Sequence, residues 1–168
     1  MLFPYKDDNP RVLVPYVTYA IISINVLIFV LQLNMAMVNS SIEREFIYKF
    51  GFIPANFSFF TMFTSMFLHG GFSHIFGNMW FLWVFGDNVE GILGHIKFGI
   101  FYLLCGLVAT MSQLFVNPES TIPMVGASGA IAGVLGMYMI RFPHARVHVF
   151  AFIIICLLYT SDAADEKR

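Results

Sequence analysis

Charged residues are scarce in this chain. Asp, Glu, Lys and Arg make up only 11% of its 168 residues, while hydrophobic residues make up 58% and the mean hydropathy is +0.76. An ordinary soluble domain is about a quarter charged. A water-facing fold of this size cannot hide so much apolar surface, so the composition excludes a soluble domain and predicts a membrane protein that crosses the bilayer several times.

Several other features are missing. The net charge is −1, and there is no basic run or Gly-rich phosphate loop, so nucleic acid is not an expected partner. The two cysteines, Cys105 and Cys156, support no disulfide framework, and no Cys/His spacing suits a metal, so no cofactor or metal is expected. Residues 1–11 are polar and lack the short apolar run of a cleavable signal peptide.

Long charge-free stretches are what the chain does have. Because about 20 apolar residues cross a bilayer, they predict four complete transmembrane helices, at Val14–Leu33, Phe72 to about Val89, Phe98 to about Val116, and about Val125 to Ile140. A partial fifth helix is predicted from Val147. We expect a polar loop at Glu43–Lys49 and an apolar loop at Phe57–Leu68 that dips into the membrane interface.

The distribution of lysine and arginine predicts the orientation. A cytosolic amino terminus places five of these residues inside, against two outside, Arg44 and Lys49. The second and fourth helices then both run inward, so that His74 and Ser128 lie at one depth near the outer face. Asp87 and Glu90 are expected to bring the second helix into water. We expect a multi-pass protein of a bacterial plasma membrane with a cytoplasmic amino terminus.

Three polar side chains within these apolar stretches are candidates for chemistry, because polar groups are costly at membrane depth. His74 and Asn78 are four residues apart and share a helix face. Ser128 lies in the first turn of the fourth helix, where backbone N–H groups lack helical partners. A hydroxyl, an imidazole and a carboxamide are the groups that acyl transfer with an oxyanion hole requires.

Glycines surround the serine. Gly126 and Gly129 flank it, and we expect them to leave room for a substrate backbone. Gly129 and Gly133 form a G-x-x-x-G pair, which lets another helix approach closely.

Three motifs in order along the chain carry a family resemblance. They are His69-Gly-Gly-Phe-Ser-His74-Ile-Phe-Gly-Asn78, Phe85-Gly-Asp-Asn-Val-Glu90 and Gly126-Ala-Ser128-Gly129. With them, the stretch from about Tyr16 to Val149 resembles the rhomboid family of intramembrane serine proteases. The resemblance implies an all-α, polytopic helical bundle that cleaves transmembrane segments of other proteins near the outer face, without metal or cofactor.

The resemblance also implies roles for individual residues. Ser128 takes the position of the nucleophile. His74, Asn78 and the backbone N–H of Ser128 take the positions of the oxyanion hole. His69 matches a histidine that supports the site. The resemblance also makes Phe57–Leu68 similar to the family's membrane-dipping loop.

The general base is where this chain departs from the family, which takes its base histidine from a sixth helix. His144 lies 16 residues after Ser128, or about 24 Å along a helix. His148 is no nearer, and His95 is expected on the inner side. Using His74 as the base would remove it from the oxyanion role. We therefore predict that this polypeptide lacks its general base and is inactive as it stands.

The end of the chain changes character at Cys156. Polar and acidic residues interrupt the predicted fifth span, and the tail resembles the translation of a sequencing-library adapter. We expect an incomplete rhomboid transmembrane domain over residues 1–155, without its sixth helix, and an artefactual tail over residues 156–168.

Three functions compete at this point. The first is a serine-type endopeptidase, a hydrolase that acts on transmembrane substrates within the lipid bilayer. The second is a rhomboid-like pseudoprotease that binds membrane proteins without cutting them; the retained Ser128, His74 and Asn78 argue against it. The third, a small transporter subunit, predicts ionisable residues at mid-membrane, and none is evident beyond His74.

Overall fold

The computed structural model describes residues 2–10 and 12–151, and it is mostly helical. Its elements are β1 (Leu2–Asp7), α1 (Tyr16–Val38), α2 (Ser40–Phe50), α3 (Phe59–Thr64), α4 (Phe72–Leu93), α5 (His95–Val116), α6 (Ser128–Arg141) and β2 (Val147–Ala151). Short 3₁₀ turns at Pro54–Asn56 and Ser65–Phe67 flank α3. The helical content confirms the predicted class at this coarse level. The predicted tail, residues 156–168, lies outside the described residues.

Helix α6 packs against both α4 and α5, and α1 packs against α4. Glycines on α6 make the contact with α5 close: a Cβ at Gly129 would overlap Ala109, and a Cβ at Gly133 would overlap Cys105. The close approach expected of the G-x-x-x-G pair is therefore confirmed. This packing holds the start of α6, and with it Ser128, at a fixed place beside α5.

Helix α1 is mostly apolar, but it carries a stripe of three buried polar side chains. Thr18, Asn25 and Gln32 follow one another at seven-residue intervals, and none is more than 1% exposed. Residues seven apart lie on one helix face, and Ile21 and Phe29 share it. The stripe faces the bundle, while apolar side chains cover the outer face of α1.

The segment from Glu43 to Lys49 is helical, so the predicted polar loop is wrong. It belongs to α2, whose N-cap Asn39 accepts a hydrogen bond from the N–H of Ser41 at 2.9 Å. Glu43 in the first turn and Lys49 in the last complement the helix dipole. The predicted apolar loop at 57–68 likewise contains α3 and a 3₁₀ turn.

The predicted fifth helix is also wrong over its described part. Residues Val147–Ala151 form β2, which pairs antiparallel with β1, with an irregularity between Pro4 and Lys6. A short apolar run fits a strand or a helix equally well by periodicity. Here the free edge of β1, an element that the sequence analysis did not predict, gives the run a partner.

Helix α4 does not end at its acidic residues. It continues to Leu93 and ends at Gly94, whose φ of 74° suits glycine. Glu90 is fully buried, so the expectation that it reaches water is wrong. Both of its carboxylate oxygens accept N–H groups at the start of α1, from Val17 at 2.9 Å and from Thr18 at 2.8 Å.

Two described helices, α1 and α5, are long and apolar enough to cross a membrane. Helix α4 carries Asp87 and Glu90, and α6 has only 14 residues, or about 21 Å. By length and composition, the structure therefore supports two of the four predicted spans.

Candidate active site

The three polar residues singled out in the sequence line one cavity between α4 and α6. Its volume is about 350 Å³. His74 and Asn78 reach it from successive turns of α4, and Ser128 reaches it from the first residue of α6. The other lining side chains are mainly apolar, among them Phe81 and Leu135. The cavity thus combines a small polar cluster with an apolar groove.

Asn78 presents an unused hydrogen-bond donor. The residue is only 8% exposed, and its Nδ2 has no hydrogen-bond partner among the described residues. A Cβ built on Gly126 would lie 3.7 Å from this nitrogen, so the amide is close to the backbone that leads into Ser128. Buried polar groups are nearly always paired, and an unpaired one therefore requires an explanation.

The imidazole of His74 is oriented by the backbone that precedes α4. Its Nδ1 accepts a hydrogen bond from the N–H of Gly70 at 3.4 Å. In a neutral ring, an Nδ1 that accepts leaves the proton on Nε2. A Cβ on Gly126 would lie only 2.7 Å from Nε2, so this N–H edge faces the segment before the serine. His74 is thereby set up as a donor toward the cavity.

Ser128 is exposed, and its hydroxyl has no acceptor among the described residues. By contrast, Thr110 and Ser112 on α5 donate to carbonyls one turn earlier, at 2.9 and 2.8 Å. The hydrogen bonds of α6 begin with Ile131 N–H and Ala127 C=O. The N–H groups in the first turn, including that of Ser128, therefore lie outside the helical ladder.

Gly126 brings these groups together. Its φ of 121° is in the region that only glycine adopts readily, and its N–H donates to the carbonyl of Ser65 at 2.9 Å. The space that a side chain would fill holds the His74 ring. The expectation that Gly126 and Gly129 leave room for substrate is therefore wrong, because His74 and Ala109 fill those spaces.

His69 lies behind His74, with the ring centroids 5.1 Å apart in an edge-to-face arrangement. It is 1% exposed, and both of its ring nitrogens lack partners among the described residues. Burial, with a smaller effect from His74, lowers the pKa of His69 to about 4, so the ring is neutral at pH 7.

A residue that the sequence analysis missed holds this histidine. The side-chain amide of Gln32 on α1 accepts from the N–H of His69 at 3.1 Å and donates to its carbonyl at 3.0 Å. The signal was available, since Gln32 is a polar side chain within an apolar stretch.

The remaining described histidines lie away from the cavity. His95 is paired with Glu90, and His148 with Asp8, while His144 lines a separate cavity at the far end of α6. Within residues 2–10 and 12–151, no group of three or more His, Cys, Asp or Glu side chains is placed to hold a metal ion.

Comparisons with known proteins agree with the sequence motifs. The family model described as the Rhomboid domain matches residues 56–163. Rhomboid protein 1, mitochondrial, of Saccharomyces cerevisiae is 31% identical over 89% of this chain and 42% of its own length. Rhomboid protease GluP of Bacillus subtilis is 32% identical over 73% of this chain and 24% of its own length.

A human relative, presenilin-associated rhomboid-like protein, mitochondrial, is 32% identical over 88% of this chain and 38% of its own length. The chain therefore spans less than half the length of each of these relatives. No solved structure matches it significantly.

Proposed function

The chain belongs to the rhomboid family, and from that premise we propose that the protein containing it is an intramembrane serine endopeptidase with Ser128 as its nucleophile. The family is embedded in membranes and includes serine proteases. One observation carries the proposal: His74, Asn78 and Ser128 line a single cavity, in which Nδ2 of Asn78 is buried and has no hydrogen-bond partner among the residues that the structure describes.

The proposed reaction begins with attack by the Ser128 oxygen on a peptide carbonyl. The serine proton passes to a general base, and a tetrahedral intermediate with a negatively charged oxygen forms. The amine then leaves with a proton from the base, and water hydrolyses the acyl-enzyme. The Ser128 hydroxyl has no competing acceptor in the described part of the chain, and this supports its role as the nucleophile.

We propose that the negative oxygen is stabilised by three donors: Nδ2 of Asn78, Nε2 of His74 and the backbone N–H of Ser128. Two features support this assignment. Within the described residues, the buried Nδ2 of Asn78 has no acceptor, and the hydrogen bond from Gly70 to Nδ1 leaves the His74 proton on Nε2. Donors that are already fixed before charge develops need no reorganisation during the reaction.

The same tautomer argues against His74 as the base, because a base needs a lone pair, and Nε2 carries a proton instead. No other histidine among the described residues lines the cavity. We therefore propose that the base lies outside residues 2–10 and 12–151. The resemblance to the family implies a histidine on a later helix.

The exposed surface supports a membrane setting for this chemistry. Large apolar side chains are more than half exposed on the outer faces of α1 and α5, including Leu27, Leu31, Leu104 and Val108. A soluble monomer rarely exposes such a contiguous apolar surface. We propose that α1, α4, α5 and α6 all lie within the bilayer. Relatives named as mitochondrial weigh against the predicted bacterial plasma membrane, so the proposal names no particular membrane.

Cleavage in a membrane tests this proposal. The full-length protein that contains this sequence, reconstituted in lipid vesicles, is expected to cleave a model transmembrane substrate. Ser128→Ala should abolish cleavage, with a loss of at least about 10⁴-fold. Ser112→Ala is the matched control, because it removes an exposed membrane-helix serine that is not at the cavity.

Two outcomes would refute the proposal: cleavage that persists in Ser128→Ala, or equal losses in both serine variants. A pseudoprotease is the second candidate, because the described residues include no base. It predicts that the full-length protein captures transmembrane segments, leaves them intact and retains this binding in Ser128→Ala.

A further inference from the structure

A second polar cluster joins the amino-terminal segment to α4 and α6. The Oδ2 atom of Asp7, at the end of β1, accepts hydrogen bonds from Asn9 at 2.9 Å, from Asn88 on α4 at 2.9 Å and from the Tyr138 hydroxyl on α6 at 2.7 Å. The side chain of Asn9 also donates to the Tyr138 oxygen at 3.0 Å. One carboxylate oxygen thus connects three separate parts of the chain.

This cluster is buried and satisfied. Asp7, Asn88 and Tyr138 are 9%, 7% and 3% exposed. The Tyr138 ring also packs edge-to-face on Phe85 of α4, with centroids 4.8 Å apart. Hydrogen bonds to a charged acceptor are stronger than neutral ones, and leaving their buried partners unpaired is costly.

The cluster and the candidate active site lie the same number of residues apart on α4 and on α6. Ten residues separate Asn78 from Asn88 on α4, and ten separate Ser128 from Tyr138 on α6. Ten helical residues cover about 15 Å. Helices α4 and α6 therefore run in the same direction and meet at two levels. One level is the cavity, and the other is Asp7 with its partners.

We propose that Asp7 is a positioning residue that sets the axial register of α6 against α4, and through it the place of Ser128 relative to His74 and Asn78. Without the carboxylate, Asn88 and Tyr138 lose their common acceptor, and the hydrogen-bonded link between α4 and α6 at this level is lost. This inference rests on the proposed function only where it treats Ser128 as the nucleophile; the register of α6 against α4 does not depend on it.

The backbone of the same segment supports this role. The indole N–H of Trp80 on α4 donates to the carbonyl of Pro4, and the N–H of Asp8 donates to the carbonyl of Arg146 beyond α6 at 3.2 Å. The amino-terminal segment thus lies along α4 and contacts the segment that follows α6. Asp7 is placed where the segment can hold both helices at once.

A distance measurement that does not depend on catalysis tests the register. Spin labels at two exposed positions, Phe76→Cys on α4 and Met139→Cys on α6, in the full-length protein without its other cysteines, report sliding through pulsed electron–electron resonance. We expect one narrow distance in the parent protein. Asp7→Ala and Tyr138→Phe should each add a displaced population, shifted by up to about 5.4 Å, one helical turn.

Asp8→Ala is the matched control. It removes the neighbouring carboxylate, which is exposed and pairs with His148 rather than with α4 or α6. The distance distribution should then match that of the parent. Tyr138→Phe keeps the ring against Phe85, so it remains informative if Asp7→Ala fails to fold.

Kinetics give the second arm. In a protein that cleaves its substrate, Asp7→Ala and Tyr138→Phe should lower kcat about 10-fold or more with little change in KM, and the double variant should lose no more than the single ones. A lower unfolding midpoint with an unchanged distance distribution would overturn the proposal, since Asp7 would then only stabilise. The distance result stands even if Ser128 is not a nucleophile, so the two proposals fail separately.

Discussion

The two ends of the α4–α6 pair differ in whether their buried polar groups have hydrogen-bond partners. At the site end, which carries His69, His74, Asn78 and Ser128, buried side-chain nitrogens have no partners among the described residues. Of the five buried side-chain atoms without a hydrogen bond in the described part of the chain, three belong to His69 and Asn78.

At the anchor end, defined by Asp7, Asn88, Glu90 and Tyr138, each carboxylate accepts several hydrogen bonds. Asp7 accepts three side-chain hydrogen bonds through one oxygen, and Glu90 accepts from α1 through both of its oxygens. Native proteins rarely leave buried donors unpaired unless something else uses them. The difference fits the proposal that the anchor end holds the fold and that the site end keeps donors free for a charge that forms during the proposed reaction.

Asn78, at the site end, should affect catalysis strongly and stability little. Asn78→Ala should lower kcat about 100- to 1,000-fold, the usual loss for one oxyanion donor, because in the proposed mechanism the amide donates only to the intermediate. The free energy of unfolding should stay within about 0.5 kcal/mol of the parent, since no hydrogen bond is lost. Steady-state cleavage and unfolding in mixed detergent measure both quantities. A stable variant with normal kcat would remove Asn78 from the site.

Glu90 should behave in the opposite way. Glu90→Gln should lower the free energy of unfolding by about 3 kcal/mol, because an amide offers one acceptor oxygen where Val17 and Thr18 use two. Glu45→Gln, on the exposed side of α2, is the control. If both glutamate variants unfold alike, the hydrogen bonds of Glu90 do not stabilise the fold.

Gly126 tests whether the site end depends on backbone shape. Gly126→Ala should reduce cleavage about 100-fold, as misplacement of a catalytic group by about 1 Å does, because the new methyl group would push into the His74 ring. Gly136→Ala, within α6, is the control. Its added Cβ meets open space, so it should keep full activity and gain about 0.5–1 kcal/mol of stability. Normal activity in Gly126→Ala would contradict the described backbone.

His69 gives the smallest effect and a pH signature. Its pKa of about 4 in the fold lies below the ordinary value of 6.5, so the unfolded chain binds a proton that the folded chain excludes. Stability should therefore be retained above about pH 6.5 and fall as the pH drops toward 4. The loss should be about 1.4 kcal/mol between about pH 7.5 and 5.5. His69→Gln should remove this dependence, while His144→Gln, at an exposed histidine, should keep it. A slope that survives in His69→Gln would assign it to another group.

Residue types at fixed spacings predicted which side chains would lie near one another at the site end, while their chemical roles stay predictions. His74 and Asn78 share a face because they are four apart, and Ser128 begins its helix as expected. Local spacing could not reveal that the His74 ring fills the space beside the Gly126 Cα, because that contact joins residues 52 positions apart in sequence.

The anchor end was harder to predict for the same reason. Asp7 lies in a polar amino-terminal segment with no helical period, and its partners, Asn88 and Tyr138, are 81 and 131 residues away. Charge counting placed Glu90 in water, because it does not consider the unpaired N–H groups at the start of another helix. The strand β2 was mistaken for a helix, because its partner β1 could not be seen from its own residues.

The most direct test of the site is to find the atom that a fluorophosphonate modifies in the full-length protein. We predict a single covalent adduct on the Ser128 oxygen, located by peptide mass spectrometry, which is absent in Ser128→Ala and present in Ser112→Ala. An adduct on another residue, or none in a preparation that cleaves its substrate, would contradict the account.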